Sequence, residues 1–121
     1  MPKTLSNTDL QMKSSRDKEG YVYVISNNNF PGYYKVGVTN DIKSRLRTYQ
    51  TASPLRNYKI EYYIHHPDCY EAEKQISEKL KYFATEIKNE WFKCDLELVK
   101  GRVDESLEPE ENVLTFIKRG V

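Results

Sequence analysis

Tyr23, Lys35, Arg45 and Glu73 are side chains whose types and placement suit one kind of chemistry. Hydrolysis of a phosphodiester needs an attacking water, a group that takes its proton, and positive charge where negative charge develops on the phosphate. Arg45 carries a planar fork that grips two phosphate oxygens at once, which a lysine cannot reproduce. Glu73 can hold a single divalent cation, with Mg²⁺ the expected choice, because a hard ion prefers carboxylate and water oxygens. Tyr23 and Lys35 are expected to face each other across a hairpin, where either can orient the water. A tyrosine close to a cation gives up its proton more readily than a free one. Taken singly, each residue also has an ordinary explanation: a tyrosine in a strand core, an arginine on a helix surface, a solvated glutamate on a helix.

Such residues act together only if the fold brings them together. Residues 21–25 and 33–38 are short runs rich in β-branched and aromatic types, separated by the turn-rich stretch 26–32. They predict a β-hairpin with a longer loop. Thr39, Asn40 and Asp41 are capping types, and Ile42, Leu46 and Tyr49 follow at i, i+4 and i+7, which predicts a helix. Arg45 falls beside that stripe, not opposite it, so it can lean over the hairpin. Residues 51–57 contain Ser53-Pro54 and form a loop. Residues 58–65 then alternate as a third strand, with Tyr58, Ile60, Tyr62 and Ile64 on one face.

Asp68 and Glu71 have the spacing of a capping box that opens a second helix, whose stripe is Ala72, Ile76, Leu80 and Phe83. Glu71 thereby has a backbone task. Glu73 lies next to the stripe, on the flank of Ser77 and Leu80, where an acid can border a cleft. Residues 89–92 predict a short strand entry, with Trp91 as a core plug. Asp95 is expected to cap a third helix carrying Leu96, Val99, Val103 and Leu107. Pro109 is expected to open a last amphipathic helix with Val113, Leu114 and Ile117. The sum is a small α/β fold, with a three-stranded, mainly antiparallel sheet flanked by helices and extra C-terminal helices.

A length of 121 residues leaves room for one core. The organisation expected is a flexible arm over residues 1–19, a main domain over 20–94, and a helical extension over 95–121 packed on it. No apolar run approaches a membrane span and no apolar segment marks an export signal, so a soluble, cytoplasmic chain is expected. Cys69 and Cys94 are then expected to be free thiols. His65, His66, Asp68 and Cys69 crowd one strand end without the spacing of a zinc site. The net charge of +1 is no mark of a nucleic-acid binder, but its distribution is uneven. Lys35, Lys43, Arg45, Arg47, Arg56 and Lys59 meet a single acid, Asp41, between positions 31 and 60, whereas seven acids crowd positions 95–111. A basic face for a polyanion is expected, with Lys43, Arg47 and Arg56 as contacts to DNA.

The hairpin and helix together resemble the GIY-YIG nuclease superfamily. Tyr21-Val22-Tyr23 stands at the first motif and Lys35-Val36-Gly37 at the second, with eleven residues between them, and Arg45 follows Gly37 by eight. The run Tyr-Lys-Val-Gly-Val-Thr-Asn-Asp followed by Arg-Leu resembles a branch common in phages and often described as DNA-binding. The likeness covers residues 20–94. It implies a metal-dependent DNA endonuclease or nicking enzyme, with Tyr23, Arg45 and Glu73 lining the site and a single divalent cation. The alternative it leaves open is a DNA-binding module that has lost turnover. Lys35 replaces the second-motif tyrosine, as in some restriction-enzyme members, and Ser77 stands where that branch carries a histidine. Glu90-Trp91-Phe92 keeps the branch's Glu-Trp-Phe, which makes Glu90 the reserve metal ligand.

Overall fold

Four consecutive residues, Val22, Tyr23, Val24 and Ile25, are buried in the first strand. Successive strand side chains point to opposite faces, so this strand must be covered on both. The computed structural model, which describes residues 18–108, shows how that is met. β1 (Gly20–Asn27) lies between β2 (Tyr33–Thr39) and β3 (Tyr58–His66), antiparallel to each. β4 (Glu86–Lys88) and β5 (Trp91–Lys93) form a hairpin on the outer edge of β2. Among the described residues the sheet has five strands in the order β3-β1-β2-β5-β4. The arm expected over 1–19 lies outside the described residues except for Lys18 and Glu19, and the helix expected from Pro109 lies outside them entirely.

The three-stranded expectation is corrected by that second hairpin. Its strands are three residues each, too short to show alternation, and the stretch before Trp91 looks like a polar loop. A two-residue turn joins them. Its first residue, Asn89, has φ +56°, a left-handed conformation that Asn tolerates better than most residues.

One face of the sheet carries Val22, Val24 and Val36, which pack with Phe92 against α2 (Cys69–Phe83) and α3 (Leu96–Glu105). Cys69, Ala72, Ile76 and Leu80 from α2 and Val99 and Val103 from α3 close that core. Phe83, expected in the stripe, is 46% exposed at the helix end. The other face carries Tyr23 and Ile25 and is crossed by α1 (Ile42–Thr51). Among the described residues none in α1 is buried. The Gln50 side chain nevertheless ties it to β3: its Nε2 donates to the Tyr58 carbonyl at 2.9 Å and its Oε1 accepts from the Tyr58 N–H at 3.0 Å.

β3 does not keep one stripe on one face. The register to β1 shifts between Val24 and Ile25, so Tyr62 pairs with Val24 and Ile60 with Ile25, leaving Glu61 over. Such a bulge reverses the alternation beyond it. Tyr62 and Ile64 therefore pack against the main core, while Ile60 and Tyr58 turn to the α1 side. Glu61 accepts a 2.6 Å hydrogen bond from Ser26 Oγ. Trp91 also departs from expectation. It is half-buried on the α1 side, with its ring against Phe30 and Tyr58, while Phe92 fills the core.

The start of α2 departs in one detail. Asp68 caps the helix by accepting from the Glu71 N–H at 3.2 Å. The Glu71 carboxylate does not return to the Asp68 N–H and accepts instead from Gln75. The Asp68 N–H goes to His66 Nδ1 at 2.9 Å, and His66 Nε2 donates to the Ser106 carbonyl at 2.8 Å. Buried His66 thus joins β3, α2 and the end of α3 as a bracket. Both cysteines are free, and among the described residues no group of three His, Cys, Asp or Glu is placed to hold a metal. No helix among them is long and apolar enough to cross a membrane.

Asp68→Ala is expected to cost about 1 kcal/mol of stability. Glu71→Ala, whose carboxylate caps nothing, is expected to stay within about 0.5 kcal/mol of the parent. Urea unfolding of the two variants separates them, and an equal loss in both would restore the reciprocal box.

Candidate functional site

Tyr23 and Gly37 face each other directly in the β1–β2 register. A side chain at 37 would collide with the Tyr23 phenol, its Cβ falling 2.5 Å from Cζ. The glycine is therefore the seat on which the Tyr23 ring lies across β2. The ring is 3% exposed and its hydroxyl shares a 3.1 Å hydrogen bond with that of Tyr49, one helical turn beyond Arg45. Burial first, then the bond to Tyr49, push the Tyr23 pKa far up, and the opposing pull of Arg45 is weaker. The hydroxyl is held protonated, contrary to the expectation of an acidified tyrosine. Nor does Lys35 stand directly opposite Tyr23, since its partner on β1 is Ile25.

Lys35 occupies the same face. Its ammonium pairs with Glu90 Oε1 at 2.8 Å and lies 5.8 Å from the centre of the Tyr49 ring. Burial pulls the Lys35 pKa down, but Glu90 and Tyr49 outweigh it and leave it raised, so the group is a fixed positive charge. β5 pairs with β2 at Tyr33 and Tyr34. Among the described residues the outer edge of β2 has no strand partner from Lys35 onward, and Glu90 of the β4–β5 turn reaches it.

Glu73 lies half-buried beside that open edge. It lines a cleft with Ser77, Val36, Asn89 and Glu90, as its position next to the α2 stripe leads one to expect. Burial, then the charge of Glu90, push its carboxyl pKa up, against a smaller opposing effect of Lys35. Glu90 shifts the other way, lowered first by its hydrogen bond to Lys35 and then by that charge.

Arg45 is exposed on α1 and lines a second cleft of about 540 Å³ with Tyr21, Thr39 and His65. Its charge and that of Glu73 act on the Tyr23 hydroxyl with opposite sign. Lys43 and Arg47, four residues apart, share a different flank of α1, and Arg56 lies in the loop beyond it with φ +48°. All three are exposed, and among the described residues none of them, nor Arg45, enters an ion pair. The basic surface therefore has two parts, one at Tyr23 and one on the outer flank of α1.

A model of the T5orf172 domain matches residues 20–107, a span that holds every described strand and helix. The chain belongs to the T5orf172 domain family. No curated protein and no solved structure matches it. In this T5orf172 domain the match runs through α3, whose Val99 and Val103 complete the core. Tyr49 is the site residue that sequence reasoning missed. It was assigned to the apolar stripe, although its place one turn after Arg45 was visible.

Gly37→Ala in the T5orf172 domain should lift the Tyr23 ring off β2, at a cost of about 1–3 kcal/mol. Repeating the change in a Tyr23→Ala background should remove most of that cost, since the colliding ring is gone. Urea midpoints of the four proteins in this cycle measure it, and strict additivity would show that Tyr23 is not what Gly37 accommodates.

Proposed function

We infer that this domain hydrolyses phosphodiester bonds of DNA with the help of one divalent cation, as a nicking enzyme or endonuclease. The observation that carries the reading is the Lys35–Glu90 pair at 2.8 Å beside the cleft that Glu73 and Glu90 line, with the Lys35 ammonium over the Tyr49 ring and the Tyr49 hydroxyl bonded to that of Tyr23. A pure binder has no use for a half-buried carboxylate beside positions that suit phosphate. The resemblance to GIY-YIG nucleases, on Tyr21–Tyr23, Lys35–Gly37 and Arg45, supports the same chemistry.

The residues fit a hard cation. Glu73 and Glu90 share a cleft with hydroxyl and amide oxygens, and burial together with the charge of Glu90 penalises the ionised form of Glu73, a penalty that a cation would relieve. Mg²⁺ is commonly held by one or two carboxylates, with water and phosphate oxygens completing its shell, so a cluster of three acids is not required. When bound, the ion would lower the pKa of water and offset charge developing on the phosphate. Arg45 would grip two phosphate oxygens, and Lys35 would add a fixed charge that Glu90 orients. The paired hydroxyls of Tyr23 and Tyr49 would supply hydrogen bonds to the phosphate or the attacking water. Lys43, Arg47 and Arg56 would follow the backbone of the duplex.

A second reading, a DNA-binding module without turnover, draws on three observations. Tyr23 holds its proton, Lys35 is paired, and Ser77 lies in the Glu73 cleft where the phage branch has a histidine.

Nicking of supercoiled plasmid with and without Mg²⁺ separates the two readings. Wild type should nick only with the cation, and Glu73→Ala should abolish nicking with DNA affinity equal or slightly higher. Arg45→Lys should lower cleavage more than binding, because charge survives and the fork does not. Wild-type activity in Glu73→Ala would pass the metal role to Glu90, and no nicking with any divalent metal would favour the binding module.

DNA affinity should also fall steeply with salt. Arg47→Glu with Arg56→Glu should weaken binding more than 10-fold at low salt, two repulsive charges replacing two attractive ones. Fluorescence anisotropy of a labelled duplex reads both effects. Salt-insensitive binding, or full affinity in the double variant, would reject the basic surface.

A further inference from the structure

On the α1 side of the sheet, Phe30, Tyr33 and Trp91 wall a cleft of about 320 Å³ whose rim is Lys88 and Asn89. Phe30 and Trp91 meet at 86° with ring centres 4.9 Å apart. A flat ring laid against one of these walls would meet the other edge-on, a favoured aromatic geometry. The walls are held in place from behind. Tyr33 hydrogen-bonds to Glu86 and stacks under the Lys93 ammonium, and Trp91 lies against Tyr58, which in turn packs on Tyr49. Tyr33 and Trp91 face away from the main core because their neighbours Tyr34 and Phe92 in β2 and β5 take the core side. Their exposure to one cleft is what the main core does not explain.

The cleft adjoins the site described above. Asn89 lines both it and the cleft of Glu73 and Glu90, and the turn 89–90 divides the two. Aromatic walls, an amide that both donates and accepts, and a lysine on the rim are the complement of a nucleobase attached to a phosphate. We propose that the Phe30–Tyr33–Trp91 cleft receives an unpaired base of the DNA strand whose phosphate lies at Lys35 and Arg45. The domain would then prefer DNA with unpaired bases, such as a flap, a bulge or a single strand, over a regular duplex. This deepens the phosphodiester reading and rests on it for the position of the phosphate.

Trp91 is the sole tryptophan of the chain, so its fluorescence reports on this cleft alone. A short single-stranded oligo(dT), titrated into the full chain without Mg²⁺, should quench it as bases stack. The matching dA·dT duplex should bind with little quenching. Phe30→Ala should weaken oligo(dT) binding about 10-fold and leave duplex binding unchanged. Phe30→Leu, which keeps apolar bulk without the ring, should behave alike and guards against a folding defect. The proposal is overturned if labelled oligo(dT) binds by anisotropy with Trp91 unquenched, if the duplex quenches equally, or if neither DNA binds. It is also overturned if only oligo(U) or a proline-rich peptide quenches, which would make the cleft an RNA or peptide site. Quenching without nicking would reject cleavage and keep the base cleft; nicking without quenching would do the reverse.

Discussion

The Tyr23 ring lies flat across β2 because residue 37 has no side chain. Most of the candidate site depends on that one steric allowance. It places the Tyr23 hydroxyl at the surface of the sheet, where Tyr49 can reach it from α1. α1 buries none of its residues fully, so this bond, the Gln50 clamp on Tyr58 and the Tyr49–Tyr58 ring contact carry much of its attachment. Arg45 rides on that helix. Its position relative to Tyr23 therefore follows from a glycine on another element.

The second constraint is the short reach of β5. Two residue pairs join it to β2, and among the described residues no strand covers the edge beyond. An unpaired edge inside a sheet leaves backbone groups exposed and invites other chains. Here the turn carrying Glu90 and the flank of α2 carrying Glu73 border the gap instead. Charges from both faces of the sheet can act on one another there, which a complete fifth strand would prevent. The split between Glu73, raised by burial, and Glu90, lowered by Lys35, is the electrostatic consequence.

Much of this was legible in the chain. The first hairpin, α1, α2 and α3 each show a clear apolar period, and Glu73 beside the α2 stripe does border a cleft. What escaped has physical causes. β4 and β5 are too short to show a period, so the sheet looked smaller than it is. The Glu61 bulge breaks a stripe that looks continuous in sequence, because alternation says nothing about an inserted residue. Trp91 was placed in the core on size and hydrophobicity, yet its parity in β5 sends it to the α1 side and Phe92 inward. His66, in a group set aside as a metal site for want of ligand spacing, spends both ring nitrogens on the backbone, a role no spacing signals. Glu71 fits the box by spacing, and the competing acceptor His66 sits two residues before the cap, where the box pattern does not look.

The central claim is that a phosphodiester site lies at the open edge of β2, with Glu73 as its metal ligand. Paramagnetic broadening by Mn²⁺ in the presence of a short DNA duplex locates such a site directly. The amide resonances of Glu73, Ser77 and Glu90 should broaden first, and Glu73→Ala should abolish the effect. Broadening centred on the acids of α3, Glu97, Asp104 and Glu105, with the β2 edge untouched, would contradict the account.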